Sequence, residues 1–182
     1  DKSGLRLNNL MDGLYGASLI FKKKSIIDHI LIEILSTTNQ SGKPPDFSDP
    51  SDTRPPIWND NYFNHWLYRM GWSYKNMGIG NPLITSPAIS EFKNSREYFN
   101  NNRVRALHTG VSGKTNLLNY TILCSLSNNY GTFNSPFKPI KKQTSILLNI
   151  KFPELFLNTD LNIAFGIDRG KLYGNNEGFH IS

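Results

Sequence analysis

The chain has 182 residues, with 20 Lys and Arg against 14 Asp and Glu for a net charge of +6, 38% hydrophobic residues, 22 Asn, 14 Gly and one Cys. Asn and Gly favour turns over helices, which argues against a helical bundle, and a single Cys excludes a disulfide framework and a cysteine-based metal centre. No run reaches the roughly 18–20 continuous apolar residues of a membrane helix, but a negative mean hydropathy leaves a membrane β-barrel open, since half of its strand positions are polar.

The chain opens on Asp1 with no charged-then-apolar leader and is expected to be a processed product or a piece of something longer. Two apolar, loosely alternating segments come first, at 13–21 and 26–37. An aromatic segment at 64–74 then sets Trp66, Tyr68, Met70, Trp72 and Tyr74 against Leu67, Arg69, Gly71 and Ser73. Shorter candidates follow at 77–84 and 103–112. From Asn119 to Ser127, Tyr120, Ile122, Cys124 and Leu126 share a face; from Ser145 to Phe152, Ile146, Leu148, Ile150 and Phe152 do the same. Asp160 to Asp168 repeats the pattern with Leu161, Ile163, Phe165 and Ile167, and a last candidate lies at 176–182. Alternation with a period of two predicts strands, where helices would space apolar residues three and four apart. The expected class is all-β, antiparallel, with about nine strands.

The connections are expected at 22–25, 38–63, 75–76, 85–102, 113–118, 129–142, 153–159 and 169–175, alternating short and long until the last. A transmembrane β-barrel has short turns on one side and long loops on the other, with strands near the roughly 9–11 residues that cross a bilayer at a tilt. Trp66 and Tyr68 near one end of their strand, and Trp72 and Tyr74 near the other, suit membrane-interface girdles. Bacterial single-chain barrels usually have an even strand number, so an odd count predicts part of a larger barrel.

Several motifs resemble a known family. Asp12-Gly-Leu-Tyr-Gly16, Thr38-Asn-Gln-Ser-Gly42, the run NYFNHWLYRMGWSYKNMGIGNPLI from Asn61 to Ile84, NNRVRALHTGVSG from Asn101, LSNNYGTF from Leu126 and GKLYGNNEGF from Gly170 are similar to the C-terminal part of Wzi-type capsule assembly proteins, outer-membrane barrels of Gram-negative bacteria. The resemblance implies a barrel of about 18 strands, of which this chain supplies half, located in the bacterial outer membrane. It also implies a lectin-like, non-enzymatic role holding capsular or surface polysaccharide. Outer-membrane lipid, lipopolysaccharide and other outer-membrane proteins are the remaining expected partners. The likeness is weakest at 43–60 and 85–100.

The long segments hold the candidate glycan-binding residues: Arg54, Trp58 and Tyr62 in 38–63, Arg96 and Tyr98 in 85–102, and Lys138, Lys141 and Lys142 in 129–142. Aromatic rings stack on sugar faces, and Lys and Arg meet carboxylates or phosphates. Gly110-Val-Ser-Gly-Lys-Thr115 is similar to a phosphate-binding loop, but position 108 is His and a strand follows, so a tight turn is expected there. His29, His65, His108 and His180 fall on separate predicted strands without metal-ligand spacing, so no metal or cofactor is expected. Cys124 is expected to pack as a small hydrophobe. Asp28, Glu33, Asp160 and Asp168, with Arg69, Lys75, Arg103 and Arg105, are read as polar lumen groups, not as a paired-acid catalytic centre. Dispersed basic residues disfavour nucleic acid. The alternatives are a barrel subunit of a larger outer-membrane complex and a soluble β-sandwich carbohydrate-binding module.

Overall fold

A computed structural model describes residues 9–22, 26–42, 48–53, 60–90, 97–156 and 159–182, with the side chains of 155 and 156 excepted. The strands are β1 (Gly13–Ile20), β2 (His29–Ser36), β3 (Ser73–Tyr74), β4 (Met77–Gly78), β5 (Val104–Lys114), β6 (Asn119–Gly131), β7 (Pro136–Phe156), β8 (Thr159–Gly170) and β9 (Asn176–Ile181). A single 3₁₀ turn at Pro87–Ile89 is the only helical element among the described residues. Seven strands form one sheet in the order β1-β2-β5-β6-β7-β8-β9, and β3 and β4 form a two-stranded sheet of their own. The described residues are therefore all-β, and β3 with β4, β7 with β8 and β8 with β9 pair antiparallel. Among the described residues the larger sheet does not close: β1 and β9 are its two edges.

The alternating segments at 119–127, 145–152 and 160–168 lie within β6, β7 and β8, and each strand extends past them. Three expectations are overturned. The aromatic segment 64–74 is not a long strand, and neither is 77–84; only the hairpin of β3 and β4 is regular there. The connection from β2 to β5 consequently runs from 37 to 103. The expected loop at 129–142 is a four-residue turn, 132–135, between β6 and β7. Short and long connections therefore do not alternate. Finally, Gly110–Lys114 closes β5, and the turn lies one step later, where the Thr115 N–H donates to the Leu118 carbonyl at 2.8 Å.

The chain divides into two compact units. One consists of Leu14–Ile34, Ala106–Ser127 and Lys142–Ser182. Here the register of β7 on β8 sets Ile146 opposite Ile167, Leu148 opposite Phe165, and Ile150 opposite Ile163. Phe165 pairs on with Phe179 and Ile163 with Ile181, which makes one continuous apolar face. The opposite face carries Ser145, Asn149 and Lys151 against Asp168, Ala164 and Asn162. Ser145 donates to Asp168, and Lys151 pairs with Asp160 at 2.6 Å. Among the described residues, the buried apolar side chains of this unit are Ala106 and Leu172 alone. Ile146, Phe165, Phe179 and Ile181 stand exposed. This is a sheet with one apolar face that no described residue of the unit covers enough to bury.

The other unit consists of Asp1–Gly13, Leu35–Arg105 and Asn128–Lys141. Among its described residues, the buried apolar ones are Leu35, Ile84, Phe99 and Val104. They are outnumbered by buried polar side chains, among them Gln40, Thr85, Asn101, Asn102, Asn129 and Thr132.

Candidate functional site

The second unit is assembled by side-chain amides and carboxylates taking the place of a strand ladder. After β2 the chain turns through Gln40, Ser41 and Gly42, all at positive φ. Such a turn points successive N–H groups inward, a concavity suited to an anion. Asp12, just before β1, supplies one: its carboxylate accepts from Asn39 N–H at 2.9 Å and from Gln40 N–H at 2.7 Å. Asn9 Oδ1 accepts from Ser41 N–H, and Ser41 Oγ donates to Asp60 at 2.6 Å.

From Asp60 the network passes to Asn102. Its Nδ2 donates to Asn61 Oδ1 and to the Tyr62 carbonyl, both at 2.7 Å. Its own carbonyl receives Gln40 Nε2 at 3.0 Å and Thr37 Oγ1 at 2.8 Å. Glu97 gathers Asn61 at 3.0 Å, Asn134 at 2.8 Å and Thr132. Asn101 bridges Thr85 at 2.9 Å and Asn129 at 2.8 Å. Neutral amides thus satisfy many of the buried polar groups, which would otherwise each cost about 1–3 kcal/mol, while Gln40 Oε1 and Asn102 Oδ1 are buried without a hydrogen-bond partner among the described residues.

The segment from Asn61 to Gly80 forms a compact loop built on this base. Asn61 and Phe63 take positive φ, and Asn64 exchanges hydrogen bonds with Phe99, its Oδ1 accepting at 2.9 Å and its Nδ2 donating at 2.9 Å. Phe63 packs on Phe99 with ring centres 5.2 Å apart. His65 Nδ1 accepts from the N–H groups of Leu67 (3.1 Å) and Tyr68 (3.2 Å), which places the ring proton on Nε2. Trp72 N–H donates to the Phe63 carbonyl at 2.8 Å and closes the loop. Lys75 and Asn76, both at positive φ, make the two-residue turn between β3 and β4. Between these residues lies an open hollow of about 920 Å³ lined chiefly by Phe63, His65, Tyr68, Met70, Trp72 and Ile79, within the size range of small-molecule sites.

The predicted site residues separate. Arg54, Trp58 and Arg96 lie outside the described residues. Tyr62 and Tyr98 are half-buried and hydrogen-bonded, Tyr62 to Asp12 and Tyr98 to Asn76. Lys138, Lys141 and Lys142 lie on β7, not in a loop, and adjacent strand residues face opposite ways. Lys138 and Lys142 therefore share a face, while Lys141 sits over the Phe137 ring at 5.0 Å. Trp66, Tyr68, Trp72 and Tyr74 are exposed, on the Asn61–Gly80 loop and its hairpin in place of a long strand.

Arg69 and Lys75 belong to that same exposed segment. Arg103, expected in a barrel lumen, stands before β5 with its guanidinium 3.8 Å from the Phe133 ring centre and Nε donating to the Thr38 carbonyl at 3.3 Å. Burial pulls it below the usual guanidinium value, with Tyr130 and Asp12 opposing. Among the described residues no three of His, Cys, Asp and Glu are grouped to hold a metal ion. The network around Asp12, Gln40, Glu97, Asn101 and Asn102 was not singled out from the sequence; its one signal there was the abundance of Asn.

Burial first, then Asp12 and Asp60, raise the Tyr62 hydroxyl well above its ordinary 10. The unfolded chain ionises this group near pH 10, whereas the folded chain keeps the proton. The stabilisation is therefore complete below about pH 10 and is lost as pH rises through the folded value. Tyr62→Phe is expected to remove that alkaline loss while lowering stability at neutral pH by about 1 kcal/mol. Urea midpoints measured from neutral to strongly alkaline pH check this; identical slopes in the two proteins would refute the assignment.

No known protein family, characterised protein or solved structure matches the chain.

Proposed function

We propose that this chain forms part of an outer-membrane β-barrel that holds a capsular or other surface polysaccharide non-covalently, as an anchor and not as an enzyme. One observation carries the reading: the sheet of β7, β8 and β9 has a continuous apolar face, and its unit buries only Ala106 and Leu172 among its described apolar side chains. A free-standing sandwich requires a second layer on such a face, and no described segment of that unit supplies one. Lipid can cover it, while the opposite face of Ser145, Asn149, Ala164 and Asp168 is small and polar enough for a barrel interior. The motifs similar to Wzi-type proteins support the polysaccharide role.

Two measurements test this. Native protein extracted in detergent is expected to change gel mobility on heating; a protein that stays soluble without detergent and shows no shift would end the barrel reading. For the polysaccharide, Lys138 and Lys142 share one face of β7, and replacing both by Ala is expected to weaken binding of an acidic polysaccharide roughly 2- to 30-fold at low salt. That difference should close as ionic strength rises. Lys141→Ala, on the other face, should do less. Equal affinity of the double variant at low salt would remove these two residues from the site.

A further inference from the structure

We infer that the cavity in the Asn61–Gly80 loop holds the acyl chain of an anionic membrane lipid, with Arg69 and Lys75 meeting its phosphate. The lining is chiefly aromatic and aliphatic: Phe63, Tyr68, Met70, Trp72 and Ile79. Two of the polar side chains at its wall are engaged elsewhere. Asn64 is spent on Phe99 and Asn61, and the Tyr62 hydroxyl on Asp12. A sugar ring, with hydroxyls all round its edge, would leave most of them unpaired against such a wall. A hydrocarbon chain would not.

The surroundings select the headgroup. From Asn61 to Ser90 the sequence contains no Asp or Glu, while Arg69 and Lys75 are both present and exposed. Arg69 lies in the chain between the lining residues Tyr68 and Met70, and Lys75 lies at the tip of the adjoining hairpin with Nζ 5.5 Å from the Tyr74 ring centre. Exposed Trp66, Leu67, Tyr74 and Met77 surround these charges with the aromatic and apolar groups that partition to a lipid headgroup boundary. Apolar lining, exposed aromatics and two exposed cations in one thirty-residue segment match an amphiphile bearing a phosphate.

The test places a quencher on the lipid. Two single-tryptophan proteins are made, Trp58→Phe with Trp66→Phe, which keeps Trp72, and Trp58→Phe with Trp72→Phe, which keeps Trp66. Each is added to vesicles of phosphatidylglycerol and phosphatidylcholine whose headgroup composition is constant while bromine is carried on the acyl chains of one lipid or the other. Trp66 is 83% exposed and Trp72 63%, so mere immersion of the loop would quench Trp66 at least as much. An occupied cavity reverses that order, because Trp72 lines it. Quenching should also be greater when phosphatidylglycerol carries the bromine, and the double variant Arg69→Gln with Lys75→Gln should weaken that preference by up to about 30-fold.

Quenching of Trp66 equal to or above that of Trp72, or indifference to which lipid is brominated, overturns the inference. So does a Trp72 emission blind to both bromolipids but altered by an acidic polysaccharide, which would make the cavity a sugar site. The inference goes beyond the polysaccharide reading and fails separately from it, since heat-dependent mobility and the Lys138 and Lys142 dependence are measured independently.

Discussion

Gly71→Ala is expected to lower the stability of the loop-bearing unit by about 2–5 kcal/mol, the sum of a left-handed backbone penalty and an overpacked contact. Gly71 sits at φ +55, and a Cβ there would lie 2.0 Å from the Phe63 carbonyl oxygen and 3.1 Å from its carbon. That carbonyl cannot withdraw freely, because it receives the Trp72 N–H at 2.8 Å. Relief requires opening the 63–72 loop, which dismantles the wall of the cavity. Urea unfolding followed by tryptophan emission reads both effects, since Trp72 lines that wall. Gly178→Ala is the control: nothing lies within 4 Å of its added methyl, so its midpoint should stay near that of the parent. A Gly71→Ala midpoint as close to the parent would mean that the chain does not turn at Gly71 as described.

Asn102→Ala is expected to cost about 3–4 kcal/mol. Asn102 is fully buried and donates twice, to Asn61 Oδ1 and to the Tyr62 carbonyl. Asn61 Oδ1 keeps a second donor in Asn64 at 3.0 Å, whereas the Tyr62 carbonyl is expected to lose its amide partner and remain desolvated. An orphaned buried acceptor costs about 1–3 kcal/mol, and the space vacated adds to it. Asn134→Ala, on the exposed side of the network with one bond to Glu97 at 2.8 Å, should cost under about 1 kcal/mol. Similar losses for both variants, measured by denaturant midpoint, would contradict the division between a buried base and an exposed rim.

Strand existence was legible wherever alternation was bounded by ordinary turn residues. β6, β7 and β8 contain the predicted segments because Ile146, Leu148 and Ile150, or Leu161, Ile163 and Phe165, leave no other periodic reading. The aromatic segment misled for a physical reason. Its alternation was as regular as any, but His65 Nδ1 captures the N–H groups of Leu67 and Tyr68, and side-chain capture of backbone donors competes with a strand ladder. Left-handed residues at Asn61, Phe63 and Gly71 complete the diversion.

The region after β6 misled in the opposite direction. Pro136 and Pro139 read as loop, because proline cannot donate to a ladder. The β7–β8 ladder, however, begins only at Gln143 and Gly170, so Pro139 lies where that pairing makes no demand on its nitrogen. Pro153 falls inside the irregularity between Phe152 and Phe156. The amide network was invisible for a different reason. Asn is common in turns generally, and only three-dimensional proximity distinguishes Asn101 and Asn102, which are buried, from Asn134, which is not.

The two borders of the seven-stranded sheet are unequal. β9 carries Glu177, ion-paired with Arg169; a charge of this kind discourages a stranger strand from docking. β1 reads GLYGASLI, with no charge and no proline, and exposes Leu14, Tyr15, Leu19 and Ile20. Such a stretch is a template for cross-β growth whenever it is left bare. The hazard is thus concentrated at one border, and it exists from the moment β1 emerges during synthesis. Until a neighbouring strand covers β1, a charged residue introduced at Ala17 or Ser18 is the change that would blunt it.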